Sequence, residues 1–256
     1  NSKLLEDIDE DNYAHNVNEI ALIFSEILDE TYVRFRMEDR GIMLDLVSVN
    51  LADKFKELIN KNNAFVLMSG TLHEKNVLKD IFGVEDFEVV EAEVINHGSI
   101  EIKETGFEFD CRYDNFVKGY VTRESYLIAL DKSVEKSVKP TLVHVNSFDD
   151  LPSIHEKDIY HLNNLITKEK LLELQKNSND LVQKFKKKEI PVLFTTKCNR
   201  GVDFPGDQCR SIIFTKFPNP NANNIFWKIL NKTHPAHYWE FYKDKARREF
   251  LQKIYR

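Results

Sequence analysis

The densest chemistry in the chain lies in Thr195-Thr-Lys-Cys-Asn-Arg-Gly-Val-Asp-Phe-Pro-Gly-Asp. The apolar run Pro191-Val-Leu-Phe leads into it, so a core strand delivers a loop holding Arg200, Gly201, Asp203 and Gly206. Two readings fit this loop. One is a plain strand-to-helix connection with an Asp-Phe-Pro-Gly β-turn. The other sets a carboxylate and a glycine backbone against a nucleotide, with the threonines facing a phosphodiester. Three further apolar runs end in small polar or charged groups. Ala64–Met68 runs into Ser69-Gly70-Thr71, Thr141–Val145 into Asn146-Ser147, and Ser211-Ile-Ile-Phe-Thr into Lys216 and Pro218-Asn-Pro-Asn. In an open α/β sheet, ligands meet the chain at the carboxyl ends of the strands. Four such ends in register would line one phosphate-binding edge with hydroxyls and backbone N–H groups.

Other chemistry is thinner. The eight histidines form no HxxxH or HExxH pattern, and His144, on a core strand, reads as a structural histidine. Cys111, Cys198 and Cys209 are odd in number and lack CxxC spacing, so neither a disulfide framework nor a zinc site is expected. No metal ligand set is expected. A reducing compartment, cytoplasm or nucleus, fits that cysteine usage. Cys198 has no visible base partner and is not expected to act as a nucleophile. A cofactor enzyme built on GxGxxG is not supported, since that fingerprint is absent.

The elements that must position these groups follow from periodicity. Residues 13–30 carry a helical stripe, Tyr32-Val-Arg-Phe-Arg and Gly41–Val49 read as a hairpin, and residues 51–60 and 74–82 read as helices. Ser69 and Thr71 would serve as N-cap for the second of these helices. Phe87–Val94 is strand-like, 122–137 and the lysine-rich 168–187 are helical, and 223–256 is aromatic, basic and helical in pattern. Buried strands alternating with helices predict an α/β fold with a largely parallel sheet flanked by helices, preceded by an N-terminal helix and β-hairpin.

Of the 256 residues, 42% are hydrophobic and 30% charged, which excludes a disordered tail or a mini-protein needing staples. The net charge of −6 conceals a split. Residues 1–110 hold 10 Lys and Arg against 25 Asp and Glu; residues 111–256 hold 26 against 17. The basic back suits an anionic partner, and the acidic front offers a face to protein partners. No apolar run approaches the ~20 residues that span a bilayer, so no membrane partner is expected. The first residues show no signal-peptide pattern and no initiator Met, and the chain stops at Ile-Tyr-Arg, so it reads as a piece of a larger protein.

The ordered blocks resemble the C-terminal motor region of superfamily 2 DNA helicases of the Rad3/XPD/DinG type. Val66-Leu-Met-Ser-Gly-Thr-Leu resembles motif III, and Val77-Leu-Lys-Asp-Ile-Phe-Gly the helix after it. Thr141-Leu-Val-His-Val-Asn-Ser-Phe-Asp-Asp-Leu is similar to motif IV, and Phe185 to Gly206 resembles the run into motif V. Ser211-Ile-Ile-Phe-Thr-Lys-Phe-Pro-Asn-Pro resembles the next strand and its exit, and Ala246 with Leu251-Gln-Lys-Ile-Tyr-Arg the start of motif VI. The blocks span residues 40–256. Two departures stand out: Arg200-Gly-Val-Asp replaces the usual Glu-Gly-x-Asp, and Tyr255 stands where glycine is common.

The resemblance implies a RecA-like (P-loop NTPase-like) fold in three parts. Residues 1–63 would be an extension ending an arch-like insertion, 64–90 a motif III-like strand and helix, and 91–256 the second motor domain, truncated within motif VI. It implies ATP and Mg2+ as cofactors, shared with a first motor domain that carries the GxxxxGK[ST] and Asp-Glu-x-His motifs missing here. It allows an iron–sulfur cluster in the full-length protein but not in this chain. Arg256 would be an arginine finger, a role worth roughly 10³–10⁵ in rate in other NTPases. Gln252 would orient the nucleotide or the attacking water. Gly201 and Asp203 would touch the ribose or metal-bound water, and Arg200 would couple closure to DNA. Ser69, Gly70 and Thr71 would link hydrolysis to strand movement. Asn146, Ser147, Thr195, Thr196 and Lys197 form the expected single-stranded DNA track, since hydroxyls, amides and N–H groups position phosphates without reading sequence. Lys184, Lys186, Lys187 and Lys188 suit a solvated helix face, and Phe226, Trp227, Tyr238, Trp239, Phe241 and Tyr242 suit core packing better than base stacking. The expected activity is 5′ to 3′ translocation on single-stranded DNA, absent from this chain alone. The competing expectation is a motor-like module, without catalysis, that binds protein partners.

Overall fold

The computed structural model describes residues 13–38, 41–91, 99–177, 180–198 and 201–254. Helix α1 (Tyr13–Ser25) precedes a hairpin of β1 (Thr31–Glu38) and β2 (Gly41–Ser48). Helices α2 (Leu51–Asn60), α3 (Lys75–Asp80), α4 (Tyr113–Val117) and α5 (Arg123–Lys136) lead to β3 (Thr141–His144). Helices α6 (Ile154–Ile159), α7 (Lys168–Asn177) and α8 (Leu181–Lys186) lie between β3 and β4 (Val192–Thr195). After β5 (Ser211–Phe214), α9 (Ile225–Thr233) and α10 (Pro235–Ile254) complete the chain. The residues form two compact units. One gathers the chain up to Met68 with His73–Glu88 and Pro220–Asp244; the other holds Ser69–Leu72, Val89–Asn219 and Lys245–Arg256.

In the first unit the hairpin pairs antiparallel from Thr31↔Ser48 to Glu38↔Gly41. Strand period two sorts its side chains. Arg34 and Arg36 both reach Asp45 on one face, at 2.7 and 2.8 Å, and this pair of guanidinium groups holds the Asp45 carboxyl below its usual range. The other face presents Phe35, Met37, Ile42 and Leu44, all exposed. Asn50 caps α2 by accepting from the Asp53 N–H. The unit's core is Val49, Val77, Ile81, Trp227, Leu230, Tyr238 and Phe241. The C-terminal aromatics are therefore mostly packing groups, as their helical spacing suggests; Trp239 alone of the six is exposed.

The second unit is built on a parallel three-stranded sheet in the order β4-β3-β5. The central strand β3 is buried along its whole length. Alternation divides the core between the two faces. Val143 and Phe194 pack with Leu127, Leu130 and Val134 of α5 and with Leu171 of α7. Leu142 and Leu193 pack with Phe185 of α8, Cys198 and Phe204. Helix α5 starts at a reciprocal cap in which the Thr122 hydroxyl accepts from the Ser125 N–H at 3.1 Å and Ser125 Oγ accepts from the Thr122 N–H at 3.0 Å. An N-terminal helix and hairpin followed by a helix-flanked parallel sheet is the α/β, RecA-like architecture expected from the sequence.

Four expectations need correction. Ala64–Met68 is not a buried strand: it pairs with no strand among the described residues, and Val66 and Met68 are 77% and 89% exposed. A five-residue apolar run cannot satisfy its own backbone groups, so without a neighbouring strand it stays extended but unladdered. Phe87–Glu91, the described part of the strand-like 87–94, also forms no strand. The lysine-rich 168–187 divides into α7 and α8, with residues 178–179 outside the described residues. Finally, neither Ser69 nor Thr71 caps α3. Its N-cap is Glu74, whose N–H is satisfied by the carboxylate of Asp244 at 3.0 Å.

Candidate functional site

Parallel pairing in register brings three of the expected strand ends to one edge of the sheet. His144 lies beside Thr195 and Phe214, and the ladder continues through Val145 N–H to Thr195 O (2.9 Å) and Thr215 N–H to His144 O (3.0 Å). Asn146-Ser147, Thr195-Thr196-Lys197 and Thr215-Lys216 therefore share the carboxyl edge. Ser69-Gly70-Thr71 does not end a strand.

A buried carboxylate organises the edge. Asp150 Oδ2 accepts from the Ser147 N–H (2.9 Å) and from Thr215 Oγ1 (2.8 Å), and Oδ1 pairs with Lys216 Nζ at 2.8 Å. Thr215 Oγ1 in turn accepts from the Asn146 N–H at 3.0 Å. Ser147 Oγ accepts from the Asp149 N–H, and Ser147 with Asp150 forms a reciprocal capping box. The Tyr126 hydroxyl donates to Thr215 O at 3.3 Å; burial pushes its ionisation upward, so the phenol stays a neutral donor. Arg123 braces the following loop by donating to the carbonyls of Asp149 and Leu151, both at 2.7 Å, and to Glu156 at 2.8 Å. The Arg123 guanidinium and the Ser153 N–H lower the Glu156 carboxyl to about 2. The backbone after β3 is thus held rigidly, while the Asn146 and Ser147 side chains stay exposed.

At the β4 exit, Thr195 is buried and its hydroxyl accepts from the Lys197 N–H at 3.0 Å. Thr196 Oγ1 donates to Gln175 Oε1 at 2.9 Å, and Lys197 Nζ reaches Gln175 O at 3.4 Å. Gln175 Nε2 is buried without an acceptor among the described residues. Lys197 is exposed. Lys216, by contrast, is neutralised by Asp150 and lies 5.7 Å from the ring centroids of Phe116 and Tyr126.

Arg200 and Arg256 lie outside the described residues. Gly201 takes φ +70°, a left-handed conformation, and among the described residues beyond its chain neighbours nothing stands within 4 Å of where a Cβ would be. Asp203 is exposed, and its carboxylate accepts from the Phe204 N–H at 3.0 Å. An open glycine backbone beside an exposed carboxylate fits one side of a nucleotide. It does not fit a complete site, since this chain has no GxxxxGK[ST] loop. Gly70 is exposed. Thr71 is buried, its N–H donating to Ser69 Oγ at 3.1 Å, and its Oγ1 accepts from Gln252 Nε2 at 2.8 Å. Two residues chosen for different roles, Gln252 near the end of α10 and Thr71 early in the chain, are direct partners.

The remaining candidates are ordinary. His144 is buried, stacked on Phe214 and bonded through Nε2 to Lys253 O at 3.3 Å. Cys111, Cys198 and Cys209 are joined in no disulfide, and burial raises the Cys111 and Cys209 thiols above their usual range. Lys184 and Lys188 form surface ion pairs with Asp180 and Asp207. Sequence reasoning missed Asp150, Thr215, Gln175 and Arg123. Asp150 was within reach, because Ser147-Phe-Asp-Asp150 has the spacing of a capping box; the others are joined only by tertiary folding.

Residues 130–256 match the family model for the helicase C-terminal domain, Helicase_C_2. No curated protein and no solved structure matches the chain. The matched residues contain β3, β4, β5 and the sheet edge described above, together with Gln252. Residues 130–256 are therefore a helicase C-terminal domain, of the kind typical of the C-terminal regions of Rad3/XPD/DinG-family helicases.

Proposed function

We propose that this chain supplies the second RecA-like motor domain of an ATP-dependent DNA helicase that translocates 5′ to 3′ on single-stranded DNA. The observation that carries the reading is the shared carboxyl edge within a helicase C-terminal domain, where Asn146, Ser147, Thr196 and Lys197 lie side by side. In this reading the DNA backbone runs along that edge. Asn146 and Ser147 offer side chains and a backbone held by Asp150, Thr196 a hydroxyl, Lys197 a charge, and Thr195 its backbone. Few groups there read base edges, so affinity is insensitive to sequence and falls with salt.

ATP and Mg2+ bind between this domain and a first motor domain, and hydrolysis supplies the energy for movement. Gly201 and Asp203 face the ribose or metal-bound water, Arg200 couples closure to DNA, and Arg256 neutralises charge at the γ-phosphate. Gln252 orients the nucleotide or water. Its bond to Thr71 ties it to Ser69-Gly70-Thr71, the segment that links hydrolysis to movement. The site of action is intracellular, in cytoplasm or nucleus.

The test is fluorescence anisotropy with labelled oligo-dT and mixed-sequence oligonucleotides over a range of salt. Both bind with similar affinity, and Thr196→Ala/Lys197→Ala weakens both about equally, by roughly tenfold for two lost phosphate contacts. Strong base preference, or no change in the double variant, overturns the DNA edge. This chain alone hydrolyses no ATP; turnover by it overturns the division of the ATP site.

A second reading is a module without catalysis that binds protein partners through its acidic N-terminal part. The exposed apolar face of the hairpin, with Phe35, Met37 and Ile42, favours it. In full-length protein, loss of ATP turnover in Arg256→Ala supports the motor, whereas complete absence of turnover in the wild type supports the module.

A further inference from the structure

Helix α3 and the first turns of α10 meet along a seam in the first unit. At one end Asp244 accepts from the Glu74 N–H and lies 2.7 Å from His73 Nδ1. Between them Val77 and Ile81 pack with Tyr238 and Phe241. At the other end His237 Nδ1 lies 3.7 Å from Asp80 Oδ2, and Glu240 stands beside them. His237, Glu240, Phe241 and Asp244 fall on one face of α10 by their spacing of three, four and seven.

One ligand atom from each of Asp80, His237 and Glu240 lies within 4.8 Å of the others. Ligand atoms around a tetrahedral zinc are about 3.3 Å apart, given bonds of about 2.0–2.1 Å. The His–Asp separation is already close to that value, and the rest is within reach of rotation about the carboxylate χ angles. His237 and Asp80 are each about two-fifths exposed, at 40% and 44%, so a fourth position is open to water. Nitrogen plus two carboxylates is a ligand set for a borderline transition ion, whereas Mg2+ and Ca2+ take oxygen ligands. The two carboxylates also balance the charge of a divalent ion.

We propose that Asp80, His237 and Glu240 form a three-ligand site for Zn2+ or a related divalent transition ion, clipping the C-terminal end of α3 to α10. The helix spacing of His237 and Glu240 supplies two ligands in advance. The third is brought by the packing of Val77 and Ile81, so the ion stabilises a seam that already exists rather than creating it.

The test is calorimetric titration of the whole chain with ZnCl2, with thermal melts in parallel. One equivalent of Zn2+ binds at the site and raises Tm, and a large excess of MgCl2 does neither. Co2+ in place of Zn2+ gives visible absorption bands. His237→Ala weakens that equivalent by at least about tenfold and removes the Tm rise, and Glu240→Gln weakens it in the same direction. Both positions are partly exposed, so metal-free melts of the variants stay close to wild type and separate lost ligation from misfolding. No Zn2+ binding at about 100 times a micromolar constant, or equal binding and an equal Tm rise in His237→Ala, overturns the site.

Discussion

Thr215 carries more of the sheet edge than any residue with obvious chemistry. Its hydroxyl donates to Asp150 and accepts from the Asn146 N–H, while its own N–H and C=O engage His144 and Tyr126. Replacement by valine conserves shape but removes a donor from a buried carboxylate and an acceptor from a backbone N–H. Leaving such groups unmade costs about 1–3 kcal/mol. Thr215→Val therefore lowers the unfolding free energy by roughly 2 kcal/mol in urea melts. The Gln252–Thr71 bond makes a second prediction at this scale. A double-mutant cycle with Gln252→Ala and Thr71→Val returns a favourable coupling of about 1 kcal/mol by chemical denaturation, since both single variants break the same bond. Additive losses would show that the bond contributes nothing in solution.

At the scale of elements, α5 is the brace of the second unit. Its Thr122–Ser125 cap fixes where it begins, Leu127 is completely buried, and Arg123 holds the loop after β3. Leu127→Ala creates a cavity between α5 and the sheet and costs about 3 kcal/mol, read as a fall in Tm. Arg123 also sets a pH dependence. The Glu156 carboxyl sits at about 2 when folded, against about 4.5 as an ordinary glutamate. Its lowered value means the stabilisation is present in full above about pH 4.5 and fades as pH falls towards 2. Arg123→Ala therefore flattens the acid limb of the stability curve over that window and leaves its alkaline limb unchanged. Equal acid sensitivity in the variant would assign that limb to other carboxylates.

For the molecule as a whole, charge and composition take on location. The basic residues 111–256 include all three parallel strands and the helicase C-terminal domain, while the acidic residues 1–110 include the hairpin and α3. Much of the basic excess is locally paired, as Lys184, Lys188 and Lys216 show, so it acts as a diffuse field rather than a row of free cations. Binding to single-stranded DNA by this chain is accordingly expected to show a shallow salt dependence. A log–log slope of about −0.7 to −1.4 corresponds to one or two neutralised phosphates on a single strand. A slope of −5 or steeper would require a basic track well beyond Lys197.

What could be read from residues alone was whatever depends on local spacing. The α2 boundaries, the hairpin and the strands β3, β4 and β5 follow from periodicity and turn residues, because each of those preferences is satisfied within a few residues of chain. The motif blocks that fall within residues 130–256 likewise pointed to the helicase C-terminal domain. Ala64–Met68 marks the limit: its residues suit a buried strand, but a strand exists only where another lies alongside, and that is decided elsewhere in the chain. The same holds for the site. Sequence named Asn146, Thr196 and Lys197, yet only parallel pairing set them on one edge, and only folding showed that Lys216 spends its charge on Asp150. Gln252 meeting Thr71, Asp244 capping α3, and Asp80 joining His237 and Glu240 are partnerships across long sequence separations. No local pattern encodes the link from Thr71 to Gln252, from Glu74 to Asp244 or from Asp80 to His237, because only packing brings such distant polar groups close together.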